Sequence, residues 1–171
     1  AASGRTDLAQ GLRQALAESG PFPWPRASAL LSQAFEAVTA LHRNGGFICG
    51  VNPDMIRLRT AEGGTPGAAN HAMADKSAAG GGWPEQIVVS SAGIRSVQDV
   101  LATMREQELR GQEASEHELP YVAPEVLMGS APNVRADVFT IGVLAYEMVT
   151  GCQPFRAASV PELLGQMLQV K

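Results

Sequence analysis

Apolar residues recur at helical spacing in several separate stretches of this chain, with short apolar runs between them. Leu8, Leu12, Ala15 and Leu16 follow Thr6 and Asp7, either of which can cap a first turn, and Gly20 breaks the run, which predicts a short first helix. Residues 21–25 read as a loop anchored by Phe22 and Trp24. Ala27, Leu30, Leu31, Ala34, Val38 and Leu41 then share one face of a longer second helix, ended by Asn44, Gly45 and Gly46. Short apolar runs at 47–48, 56–58 and 87–89, divided by turn residues such as Asn52 and Pro53, predict small strands.

Between the last two runs, residues 60–86 carry Gly63, Gly64, Gly67, Gly80, Gly81 and Gly82, many alanines and no hydrophobic period. Such a stretch buries too little apolar area to offset the entropy of ordering it, so a mobile Gly/Ala-rich insertion is expected, with His71 solvated inside it. Ser96 and Asp99 form a capping box for a helix to about Arg110 that lines up Val97, Val100, Leu101 and Met104. Residues 119–127 turn apolar, and Asp137 opens a run to Val149 with apolar residues on every side, which predicts a central helix buried all round. Ser159 and Glu162 cap a last helix carrying Val160, Leu163, Leu164, Met167 and Leu168. The predicted architecture is mainly α with a few short strands.

At 171 residues, 45% hydrophobic and 18% charged, the chain suits one domain with a core large enough to need neither disulfide nor metal. A net charge of −4 without any Lys or Arg cluster argues against nucleic acid as a partner. The longest apolar-rich stretch, 138–149, is too short for the ~20 residues that span a bilayer, and the first residues lack signal-peptide order. A soluble, cytoplasmic chain is expected. Cys49 and Cys152 have no ligand spacing around them, so reduced thiols and no zinc are expected. A start at Ala1 rather than Met suggests a fragment or a processed chain.

Particular residues now narrow the reading. Tyr121-Val122-Ala123-Pro124-Glu125, then Asp137-Val138-Phe139-Thr140-Ile141-Gly142-Val143, Tyr146-Glu147-Met148, Thr150-Gly151 and Pro154-Phe155 resemble the C-lobe of a Hanks-type serine/threonine protein kinase. The resemblance implies a partial kinase-like domain over 1–171, covering the middle of the C-lobe. It makes 27–42 the helix before the catalytic loop and 47–56 that loop. On this mapping Gly50 stands where the family has its catalytic base, Asn52 replaces the lysine that contacts the transferred phosphoryl group, and Met55 replaces the metal-binding asparagine. Pro53 matches, and Asp54 is a common variant of the usual glutamate. Ser91-Ala92-Gly93 falls where Asp-Phe-Gly is expected, so Ser91 replaces the carboxylate that bridges magnesium to nucleotide phosphates.

These replacements remove the chemistry. Glycine accepts no proton, a thioether is a poor ligand for a hard cation, and loss of the base alone costs about 3 to 5 kcal/mol of barrier lowering. The resemblance also implies a missing N-lobe, with its glycine-rich loop and strand lysine, so no cofactor is expected. Asp137 is expected to brace the backbone of Cys49 or Gly50, a structural role, and Pro124 and Glu125 to belong to the scaffold. Glu125 lacks the family's arginine partner and is expected to face solvent or pair locally with Arg135. Cys49, with His42 the nearest histidine in sequence, reads as an inert thiol rather than a nucleophile.

The stripe Val97, Leu101, Met104 is expected to pack across the former substrate groove, or alternatively to meet a partner helix. Thr103 and Ser115 offer hydroxyls, but the arginine that docks a phosphorylated loop is missing. The leading expectation is a catalytically inactive, pseudokinase-like interaction or regulatory module in intracellular signalling, its apolar surface covered by a protein partner or another domain. The alternative is a piece of a longer serine/threonine kinase or unorthodox phosphotransferase that binds ATP, with Asp54 and Glu85 as the available carboxylates. A decayed remnant is a third reading.

Overall fold

The structure is a computed structural model, and it describes residues 10–48, 50–60, 85–89, 118–157 and 159–169. Cys49, His71, residues 90–93, the proposed helix at 97–110 with Val97, Leu101 and Met104, and the hydroxyls of Thr103 and Ser115 lie outside the described residues.

Strand β1 (Gln10–Gly11) leads directly into helix α1 (Leu12–Ser19). The helix starts at Leu12 with Gly11 at its cap position, later than the expected cap at Thr6 or Asp7, because Gln10 and Gly11 are paired in a sheet with Leu58 and Arg57. Leu12, Ala15 and Leu16 form its buried face, and Gly20, at φ 70°, ends it as expected by donating its N–H to Leu16 O at 2.9 Å. Phe22 anchors the following turn: it is buried, and its N–H donates to Met148 O at 2.7 Å. Trp24 does not anchor anything. It is 63% exposed and begins helix α2 (Trp24–Arg43), whose first turn accepts Pro25 because that N–H needs no intrahelical partner.

Ala27, Leu30, Leu31 and Val38 bury one face of α2, together with one charged residue, Arg26. A 3-10 turn (Pro53–Met55) leads into β2 (Ile56–Thr60), which pairs antiparallel with β3 (Glu85–Val89) to complete a three-stranded sheet ordered β1-β2-β3. Ile56 and Leu58 point into the core while Arg57 and Arg59 point out, the period of two expected of a half-buried strand. Thr60, Glu85 and Gln86 are strand residues, so the Gly/Ala-rich stretch is narrower than 60–86. Phe47 and Ile48 form no strand: Phe47 is exposed beside the His42 ring, and the Ile48 N–H is taken by a carboxylate.

After a 3-10 turn (Leu119–Tyr121) come the single-turn helix α3 (Pro124–Leu127), the long helix α4 (Val134–Thr150) and α5 (Val160–Gln169). Asn133 caps α4, its Oδ1 accepting the Arg135 N–H at 2.8 Å, so Asp137 sits inside the first turn rather than opening the helix. Ala136, Thr140, Ile141, Val143, Leu144 and Met148 are buried, many of them against α2. The helix is not buried all round. Val134, Val138, Tyr146 and Val149 are exposed along one stripe, on which no described element packs. Gly151, at φ 73°, ends α4, and a side chain there would meet Pro21 Cγ at 3.1 Å. On α5, Ser159 Oγ accepts the Glu162 N–H at 3.4 Å, and Leu163 and Met167 pack with Leu119. The described chain is mostly helical with a small sheet.

Candidate functional site

The turn between α2 and β2 lies against the first half of α4, and its backbone is held by two side chains of that helix. Asp137, 1% exposed, accepts the Ile48 N–H on both carboxylate oxygens at 3.2 Å, and its Oδ2 lies 2.7 Å from His42 Nε2. The Gly50 N–H is held one helical turn away, by Thr140 Oγ1 at 3.2 Å, and not by Asp137. The Thr140 hydroxyl in turn lies 2.8 Å from Tyr121 O and 3.1 Å from Ala136 O, tying the turn to the segment before α3. Gly50 adopts φ 95°, a conformation side-chain-bearing residues rarely take, and a Cβ there would stand 3.1 Å from Val122 Cγ2.

The polar side chains that follow are bonded within the chain. Asn52, 4% exposed, accepts the Asp54 N–H on Oδ1 at 2.9 Å and so caps the 3-10 turn. Met55 is half-buried and packs against the main core. Asp54 accepts from Arg13 Nε on both oxygens, at 2.7 and 2.8 Å. Burial opposes the Arg13 charge, but the Asp54 hydrogen bond and the nearby Tyr121, Asp54 and Glu147 outweigh it, and its pKa is raised.

Behind Arg13, the Tyr121 hydroxyl donates to the buried Glu147 carboxylate, and Arg13 Nη1 lies 3.7 Å from the same group. Gln153 Nε2 donates to the Tyr121 oxygen at 3.2 Å. Burial first, then the bond to Glu147, hold the Tyr121 pKa above its ordinary value, so the phenol stays protonated. Pro124 and Glu125 form the first turn of α3, both half-buried, and no ion pair joins Glu125 to Arg135 among the described residues. On the far side of α4, Phe139, Gly142, Val143, Tyr146, Pro154 and Phe155 line an open groove of about 470 Å³ with no charged residue.

Gly50, Asn52 and Met55 lie in one turn, which Asp137 holds at Ile48; Ser91 lies outside the described residues. Sequence reasoning missed Arg13, Thr140 and the Tyr121–Glu147 pair, since no pattern of hydrophobicity reports contacts between residues so far apart in the chain. It also missed Arg26, whose Nε and Nη2 each reach Glu85 at 2.7 Å. A signal existed there, because Arg26 falls on the apolar face of α2 one turn before Leu30. Among the described residues no three His, Cys, Asp or Glu side chains are grouped to hold a metal ion.

Comparison with known proteins adds a family likeness. Residues 86–170 match the protein tyrosine and serine/threonine kinase family. This chain is protein-kinase-like. It is 29% identical to the serine/threonine-protein kinase PkaA of Streptomyces coelicolor over 167 residues, which is 96% of this chain and 26% of PkaA. Mouse serine/threonine-protein kinase ULK4 is 33% identical over 75% of the kinase-like chain, a match covering 9% of ULK4. PknL of Mycobacterium tuberculosis is 27% identical over 92% of the chain and 32% of its own length. The kinase-like chain therefore spans a third or less of these relatives. No helix among its described residues is long and apolar enough to cross a membrane.

Proposed function

We propose that this kinase-like chain is a catalytically inactive, pseudokinase-like module, a partial C-lobe that serves as an interaction or regulatory element in intracellular signalling. The observation that carries the reading is the turn after Gly50, where the polar groups are committed internally. Asn52 caps the turn, Asp54 is paired with Arg13, and Met55 is packed into the core. None of these is set to take a proton or hold magnesium, and Gly50 has no side chain to do either. The uncharged groove beside Tyr146 and the exposed stripe of α4 support a protein or domain partner.

The second reading is a segment of a longer serine/threonine kinase that binds ATP, and it is favoured by the naming of PkaA and PknL as kinases of which this chain matches only part. It needs carboxylates near Gly50, yet Asp54 and Glu85 are each already engaged with an arginine. Thermal-shift titration of the full-length protein with ATP and magnesium separates the two. An unchanged melting temperature is expected, and a saturable rise of several degrees would replace the first reading by the second.

A further inference from the structure

Strand β3 has the sequence Glu-Gln-Ile-Val-Val, and this leaves its pairing with β2 poorly specified by hydrophobicity. Register is normally fixed where apolar and polar residues alternate, since a slip then carries apolar side chains to the wrong face. Here Ile87, Val88 and Val89 are apolar in succession, and Val88 already faces solvent. The other common determinant, a tight turn, is also lacking: Thr60 is paired with Glu85, and residues 61–84 separate them along the chain.

What does specify the register is polar and comes from α2. Arg26, 5% exposed, grips Glu85 with two bonds of 2.7 Å while its guanidinium carbon lies 3.9 Å over the Phe22 ring. Two turns further along the same face of the helix, Gln33 donates from Nε2 to Glu85 O and accepts the Ile87 N–H on Oε1, both at 2.9 Å. The Gln33 bonds go to backbone groups that recur every second residue, so they exclude a one-residue slip, while the Arg26–Glu85 pair alone excludes a slip of two. A two-residue slip would place Ile87 against Arg26 and bury the arginine without a carboxylate, which is the costly outcome for a charge in the interior. It would also shift everything that follows Val89 by about 7 Å relative to Gly50 and Asn52.

We propose that Arg26 and Gln33 form a register clamp that sets the position at which β3 pairs with β2. The clamp fixes where the chain leaves the sheet, whatever the length of the segment between the two strands.

The test is NMR of the full isotope-labelled chain, reading amide–amide contacts across the β2–β3 ladder. The unaltered protein is expected to show contacts joining Arg57 to Val88 and Arg59 to Gln86, as in the observed pairing. In Arg26→Leu a second set of β3 resonances is expected, with a contact between Arg59 and Val88, its population raised about tenfold or more over the unaltered chain. Glu85→Gln keeps the shape and one hydrogen bond, and is expected to show the same second set at lower population. It also decides the matter should Arg26→Leu fail to fold. The exchange Arg26→Glu with Glu85→Arg is expected to restore the single native set. A single, native set of contacts in folded Glu85→Gln and Arg26→Leu overturns the proposal.

Discussion

The turn at 48–55 and the frame segment at 119–127 both lie against α4, but they are held to it by different means. The turn contributes mainly backbone, its Ile48 and Gly50 N–H groups held by Asp137 and Thr140. The frame contributes side chains, with Tyr121 bonded to Glu147 and Val122, Ala123, Val126 and Ala136 closed into their own cluster. A backbone bond leaves the anchored side chain out of the contact, as at Ile48, although the positive φ of Gly50 itself favours glycine. A loop held in this way can lose its reactive groups and keep its shape, whereas a segment held through side chains is constrained to its residue types.

The comparison is broken most directly by Asp137→Ala. It strips the acceptor from the Ile48 N–H and from His42 in a buried site, and a loss of about 3–5 kcal/mol is expected by urea denaturation. Tyr121→Phe attacks the frame alone, leaving the buried Glu147 short of a donor, with an expected loss of about 2 kcal/mol. The same variant carries a pH signature. The folded Tyr121 pKa lies above its ordinary value of 10, so its contribution is complete below pH 10 and is lost as pH rises beyond it. That alkaline slope in thermal melts should flatten in Tyr121→Phe.

Gly50→Asp returns a carboxylate to the turn and sharpens the contrast from the other side. The residue sits at positive φ against Val122, so a destabilisation of about 1–2 kcal/mol is expected, with no phosphoryl transfer in a radiolabelled-ATP assay. Asp54→Asn should be the mildest change. Its pairing with Arg13 is half exposed, and less than about 1 kcal/mol is expected, shrinking further in high salt.

Much of the fold was legible because burial imposes periods. The spacing of Leu30, Leu31 and Val38 delivered α2, that of Leu163 and Met167 delivered α5, and the breaks at Gly20 and Gly45 reflect positive φ angles that favour glycine. Errors arose where a tertiary contact outranked the local pattern. Gln10 and Gly11 went to the sheet rather than to the first helix, and Trp24, at the start of α2, stayed in solvent. The outer stripe of α4 was misjudged for a related reason: composition announces that a surface is apolar, not that something covers it. At the site, that Gly50, Asn52 and Met55 carry no carboxylate is plain from the sequence. The pairing of Asp54 with Arg13, or of Glu85 with Arg26, is not, since these partners lie 41 and 59 residues apart.

Gln33 has one more effect. By occupying the Glu85 carbonyl and the Ile87 N–H, its carboxamide stands in for the neighbour that an outermost strand would otherwise recruit from another molecule. At Glu85 and Ile87, a single amide on a helix thus closes that border to intermolecular growth, the usual opening for fibril formation.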